Sequence, residues 1–542
     1  MSHFAGMMRL VRLGVRRDRL RLGIWLLLIV GLIAVMPPAI DEIYSDPAAR
    51  AQYVATMSDS MMGRLYGGIL DGDSVGAVTM VESFSFVAVL VACMSAFLVI
   101  RHTRADEDRG AAGILHSTPL GRLAPLAAAL VLAAGVNSVI VLASVVVFLP
   151  YEGYPVWSGL LYGGALFGVG MSFAAIAALL AQVASSARSA VMLASIGVGV
   201  AFTMRGVGDA LAQLQDGRYE SQWLSWLSPI GWGQQMYPLT RQEWWVFGVF
   251  GVATVVVAGL AIWLRLRRDI GAGVWMERTG APHASRILKT HFGFAWHVHR
   301  GATIAWLASV AVLGGIYGSM VQEFKDMIAS SEFMKQYIVA LGGEGEAVQA
   351  FIHAMIAMTA VVITGYVVTG VLRMRREESS GRLESVFATA TDRATWMMSH
   401  IAIIMSGMAA ILIALGVVIA VSSGIVTGES VTGGRVAQYV AECLLFVAPL
   451  YVSLAMCVCV YSVMPRIVQW FAWIWFFFVM AISQLAALLK VPEWLQKASP
   501  FYHIDVDPGD PLMLATCGMM VLVSSTLILI SAVVFRRRDV GR

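Results

Sequence analysis

The sequence predicts an all-α integral membrane protein, with twelve transmembrane helices as two tandem six-helix halves. Three observations carry this. Hydrophobic residues make up 58% of the chain and charged residues 13%, a balance outside that of soluble domains. Apolar runs of about 18 residues or more recur, long enough to cross a ~30 Å hydrocarbon core as helices. One charged stretch occurs twice, the copies 271 positions apart in a chain of 542. A fixed long period marks a duplicated structural unit, so function is expected where the halves face each other. The net charge of +4 is too small to suggest nucleic acid as a partner.

The first copy holds Arg104, Asp106, Glu107 and Gly110, then Thr118 and Arg122; the second holds Arg375, Glu377, Glu378 and Gly381, then Thr389 and Arg393. Ser228-Pro229 recurs at the same shift as Ser499-Pro500, and the run Arg267 to Gly271 recurs one position short of it as Arg537 to Gly541. The halves are 1–270 and 301–542. Between them, 271–300 is a linker punctuated by Gly271, Gly273, Gly280 and Pro282.

The predicted spans of the first half are Leu22 to Met36, Val78 to Ile100, Leu123 to Leu149, Trp157 to Ala181, Ser189 to Met204 and Trp244 to Leu264. Those of the second are Thr303 to Met320, Ala350 to Leu372, Trp396 to Val421, Tyr439 to Tyr461, Ile467 to Leu489 and Pro511 to Phe535. Leu22 to Met36 and Ser189 to Met204 are short and rest partly on the repeat. Lys/Arg bias sets the orientation. Arginines crowd 9–21, 101–122, 265–300, 373–393 and 536–538, whereas the opposite turns are mixed or acidic, as at Asp41, Glu42, Asp505 and Asp507. Both termini and both charged copies are therefore expected in the cytoplasm, with the chain in the cell membrane. The N-terminal basic stretch, apolar run and Ala34 superficially resemble a signal peptide. Arg19 to Trp25 resembles Arg300 to Trp306, however, so cleavage would strip one half of its first helix.

Each half begins with a basic amphipathic segment, Phe4 to Arg21 and Ile287 to Arg300, suited to an interfacial helix. The stretches Asp41 to Ala77 and Val321 to Gln349 are long enough for short helices. Arg205 to Glu243 gathers Trp223, Trp226, Trp232, Trp244 and Trp245 around Pro229 and Gly231. Both an interfacial loop and a segment that dips into the membrane fit it, the second only where protein shields the backbone. The five cysteines all fall inside predicted spans without metal or disulfide spacing and read as small buried apolar side chains. The sequence contains no phosphate loop of the Gly-x-x-x-x-Gly-Lys type, no His-Glu-x-x-His and no Gly-x-Ser-x-Gly. Energy for uphill transport must then enter through a partner or an ion gradient.

In each charged copy, Arg104 and Glu107, or Arg375 and Glu378, stand three apart and share a helix face. Gly110 and Gly381 permit a sharp turn, followed by an apolar pair, Ile114-Leu115 or Val386-Phe387, and a closing Arg122 or Arg393. Such a turn offers an apolar knob rimmed by charge, suited to a groove on another protein; a merely solvated charged loop is the plainer alternative. The Thr118-Pro119-Leu-Gly-Arg122 ending, Leu227 to Trp232 and Arg267 to Gly271 are together similar to the ABC-2 type transporter permeases. In particular, the chain resembles their fused actinobacterial form, exporters of polyketide antibiotics and other drugs with type V exporter-like halves. The second copy departs from the pattern at Ala390, Asp392 and Phe501 to His503, so unequal docking is expected.

The resemblance implies that segments 101–122 and 373–393 are coupling helices. They would seat in a separate ABC ATPase subunit, present as two copies, which binds ATP and Mg2+; this chain itself would hold no cofactor and catalyse no hydrolysis. It also implies that the second and fifth helices of each half line the path of a hydrophobic small molecule. A parallel duplication puts the pseudo-two-fold along the membrane normal. Glu82 and its counterpart His353 are ionisable groups within spans, which usually face the bundle interior or water; simple contact with water at shallow depth fits them as well. Met80, Phe84 and Val87, with Phe351, Met355 and Met358, form stripes suited to a variable apolar ligand, and equally to helix packing. The rival class is an ion-coupled secondary transporter, which would use charged residues in mid-span, and here only Glu82, His353 and Glu442 offer themselves.

Overall fold

A computed structural model describes residues 3–44, 46–111, 113, 119–151, 154–155, 157–215, 218–268, 273, 283, 285–330, 344–389, 391–485, 492–504 and 511–538. Among them, eleven helices are long and apolar enough to cross a membrane, and one further apolar helix is shorter. The chain divides into two units, Met1–Gly280 and Ala281–Arg542.

In the first unit α1 (Met7–Ile43) leads through two short helices, α2 (Pro47–Asp59) and α3 (Met61–Tyr66), to α4 (Val75–His102) and the one-turn α5 (Arg104–Asp108). Then come α6 (Ala124–Phe148), α7 (Ser158–Val183), α8 (Ala187–Ala210), a small hairpin of β1 (Gln213–Gln215) and β2 (Arg218–Glu220), the short α9 (Pro229–Gln235) and α10 (Val246–Arg267). The second unit runs α11 (His291–Ser330), α12 (Glu344–Ser379), α13 (Arg382–Phe387), α14 (Arg393–Thr427), α15 (Gly433–Leu445), α16 (Val447–Val463), α17 (Val468–Leu485), α18 (Glu493–Gln496) and α19 (Pro511–Arg537). The shorter apolar helix is α17, and the end of the expected span Ile467 to Leu489 lies outside the described residues.

Local chemistry starts these helices where the chain needs them. Ser74 caps α4 through the Ala77 amide, Ser186 and Ser189 form a reciprocal capping box on α8, and Asp392 caps α14. The amphipathic segments expected as separate interfacial helices are continuous with the spans they precede. Nothing in Met7–Ile43 breaks the backbone ladder before Pro37, and α11 begins at His291 and runs through to Ser330. A helix of 37 residues is about 55 Å long, so its basic end has the length to stand clear of the hydrocarbon.

Each unit is built around its second and fourth spans. Of the apolar stretches of α4 and α12, 72% is buried, and of the fourth spans 67%, against at most 44% in any other span. In the first unit α7 packs on both α4 and α6, and α10 covers its other side. Small residues allow this approach: a Cβ on Gly163 would stand 2.7 Å from the Val141 Cα of α6.

Candidate functional site

The two charged copies lie at the ends of the second spans, and in each unit they are tied to the last helix. In the first unit the Glu107 carboxylate accepts from Arg104 (3.1 Å), from Arg268 (2.6 and 2.8 Å) and from Arg265. All four side chains are at most 5% exposed. Arg268 also donates to the Ala181 carbonyl at the end of α7, and its own carbonyl accepts from Arg122 at 3.1 Å. Burial pulls the Arg268 pKa below the usual guanidinium value, and Glu107 opposes that shift by favouring the charged form.

The second unit repeats the arrangement. Glu378, 3% exposed, pairs with Arg538 and lies 3.4 Å from Arg375. Arg538 donates to the carbonyls of Tyr461 (2.6 Å) and Ser462 (3.3 Å) at the end of α16, and its own carbonyl accepts from Arg393. Each clamp thus joins the second, fourth and last spans to the residue that opens the third. Gly110 and Gly381 both take φ 74°, the left-handed turn that glycine adopts without a Cβ penalty.

This geometry redistributes the expected coupling residues. Glu107 and Glu378, expected in the coupling segments, point inward and pair with arginines of their own unit. Ile114, Leu115 and Thr118 lie outside the described residues. In the second unit Val386 and Phe387 are half-buried, with Phe387 edge-on to Trp396 at 6.1 Å. What α13 leaves exposed is its polar face, Arg382, Glu384 and Ser385.

Sequence reasoning missed the arginines that receive the two carboxylates. Their signal was present, since Arg268 and Arg538 stand at matching places in the repeated run near the end of each half. It also missed the tie to α1. Arg17 Nη1 donates to both Asp106 carboxylate oxygens (3.0 and 3.1 Å), and the buried Asp18 accepts from Arg101 and lies 2.8 Å from His102.

The substrate-path candidates divide by unit. Met80, Phe84 and Val87 are buried in the first core, with Phe84 edge-on to Tyr162 at 5.5 Å. Behind them the Trp-rich segment returns into the bundle as α9, whose Gln234 donates to the Gly67 carbonyl (2.6 Å) and to Ser85 (3.0 Å). Ser228 caps α9 through the Ile230 and Gly231 amides. In the first unit this stripe packs within the helix core. In the second unit Phe351 stacks on Phe324 at 4.6 Å, but Met355 and Met358 line a cavity of 450 Å³ with Phe446, Ile482 and Phe501. There Pro500–His503 forms a single 3-10 turn where the first unit has α9.

Glu82 accepts a hydrogen bond from Tyr53, whose pKa burial and this carboxylate push well up, so the hydroxyl stays the donor. His353 Nε2 lies 3.1 Å from Glu442 Oε2, and Glu442, fully buried, also accepts from Gln438 at 3.0 Å. Glu82 and His353 thus each have a partner within their own unit.

With this geometry in view, similarity to known proteins is informative. Residues 288–536 match the family model described as the C-terminal domain of the multidrug efflux system permease Rv1217c. The whole chain is similar to the multidrug efflux system permease protein Rv1217c of Mycobacterium tuberculosis. The two are 33% identical over 542 residues, covering 99% of this chain and 96% of that protein.

Proposed function

Because the chain belongs to the ABC-2 type multidrug efflux permease family, we propose that it is the membrane subunit of an ATP-driven exporter of hydrophobic or amphipathic small molecules. Its twelve spans form two six-helix halves about a pseudo-two-fold along the membrane normal, and both termini lie in the cytoplasm. Two copies of a separate ATPase subunit bind ATP and Mg2+ and drive it.

The observation that carries this reading is the pair of matched clamps. Each fixes the exposed turn that follows the second span, Arg109 and Gly110 or Ser380 to Arg382, to the buried second and fourth spans and to the last span. A push on that turn is then delivered to the helices at the centre of the unit rather than absorbed by a flexible loop. The cavity beside Met355 and Met358, flanked by the second and fifth spans of its unit, supplies an apolar binding volume.

Purifying the full chain with its cognate ATPase subunit tests the proposal. Reversing the exposed charges with Arg382→Glu and Glu384→Arg should abolish copurification and drug-stimulated ATP hydrolysis while the permease remains folded. Export from vesicles by the permease alone, without nucleotide, would overturn it.

One observation favours a second reading, an ion-coupled transporter: the pair of half-buried His353 and buried Glu442 lies inside two spans. Export driven by a proton gradient and abolished by Glu442→Gln, with nucleotide absent, would select that reading.

A further inference from the structure

The second unit holds a basic cavity beside the clamp, with which it shares Arg375. It measures 230 Å³ and lies between the end of α12 and the start of α17, lined by Arg375, Arg376, Ser379, Arg466, Gln469 and Trp473. The acidic residues of this segment are engaged elsewhere. Glu377 pairs with Arg382 at 3.1 Å, and Glu378 pairs with Arg538 while lying 3.4 Å from Arg375. Among the described residues, the Arg376 and Arg466 side chains have no ion-pair partner, and both are exposed.

The first unit shows what this place looks like when it is filled. Asp108 stands at the position of Ser379 and accepts from Ala187, the first residue of α8, while Arg104 donates to the Ser185 carbonyl in the turn before it. Those two contacts bridge the second span to the start of the fifth. In the second unit Ser379 replaces the bridging acid and Arg466 occupies the turn; among the described residues that bridge is absent, and Arg376 and Arg466, with Arg375 beside Glu378, line the opening.

We propose that this cavity binds the phosphate of an anionic phospholipid headgroup, with the acyl chains lying along α17. Two features select a lipid. Three arginines with hydroxyl and amide donors beside them match a phosphate oxyanion in charge and hydrogen bonding. Moreover, the helix that forms one wall continues away from the cavity as an exposed apolar face of Trp470, Ile474 and Phe477, with Trp473 at its edge, the side chains that accompany a membrane–water boundary. Basic pockets between membrane helices take anionic headgroups in this way. The site is independent of what the protein exports.

Native mass spectrometry of the full-length chain, incubated with equal amounts of dioleoylphosphatidylglycerol and dioleoylphosphatidylcholine, tests the assignment. At about 1 kcal/mol per arginine near the surface, the wild type should retain the anionic lipid by about tenfold or more. The Arg376→Ala/Arg466→Ala variant should bring the ratio close to one, and Arg376→Lys/Arg466→Lys should keep most of the preference, with an unchanged melting temperature reporting an intact fold in both. A wild-type ratio near one, or a preference that survives the double alanine change, overturns the proposal. So does displacement of the retained lipid by millimolar inorganic phosphate, which would make this a site for free anions.

Discussion

The two halves hold their last helix by the same device but do not build it equally. Glu107 answers three buried arginines, whereas Glu378 answers two, of which Arg375 is 24% exposed. In the first half the segment after the fifth span re-enters as α9 and seals the core against Phe84. In the second a single 3-10 turn stands in its place beside a cavity. The same frame recurs in both units, while at this place the first is filled by packing and the second leaves a cavity. Under the proposed function, the first half would serve mainly as a support and the second as a binding element.

The largest effect that would break this contrast is in the clamps. Glu107→Gln leaves three buried guanidinium groups facing a neutral amide, and should cost about 3–5 kcal/mol. Glu378→Gln should cost about 1–3 kcal/mol, because its partners retain backbone carbonyls and some access to water. Denaturant unfolding of the two variants in detergent measures the difference; equal losses would make the clamps equivalent. Next is α9. A Cβ on Gly231 would press into the Ser225 backbone carbonyl, which cannot swing aside, so Gly231→Ala should destabilise by about 1–3 kcal/mol. The exposed Tyr502, which occupies the matching place in the second half, should accept alanine at a cost below about 0.5 kcal/mol.

Filling the cavity sharpens the contrast on the functional side. Ala357→Leu should leave stability within about 1 kcal/mol, since the added volume enters open space. It should reduce export of bulky substrates several-fold more than that of small ones, as read by efflux from loaded vesicles, whereas equal reductions would remove the cavity from the path.

The smallest effect is at the end of the third span, which is 35 residues long in the second half and 25 in the first. Lys325 and Arg435 bind Glu429 there and hold its carboxyl below the usual range. A depressed carboxylate stabilises the fold above its unfolded pKa and loses that contribution as pH falls through the folded value. Unfolding free energies of the wild type and Lys325→Ala should therefore converge as pH falls below the ordinary glutamate range. Because Glu429 is 42% exposed and screened by water, the difference at neutral pH should stay under about 1 kcal/mol. A difference that grows on acidification would reverse the assignment.

Much of this protein was legible in its residues. Spans such as Val78 to Ile100 and Trp396 to Val421 announce themselves, because in lipid only a helix satisfies its own backbone groups and twenty apolar residues suffice to cross. The repeat was legible for the same reason that it is tolerated, since two copies of one packing solution need the same charged landmarks. The pairing of Arg104 with Glu107 and of Arg375 with Glu378 follows from helical spacing alone. What spacing cannot state is which way such a pair faces. That Glu107 turns inward to Arg268, that Phe84 is core while Met358 lines a cavity, and that His353 meets Glu442 were decided by contacts between residues far apart in the chain. Hydropathy alone identifies what can lie in a membrane, but packing determines which apolar or charged side chain is left for a ligand or a partner.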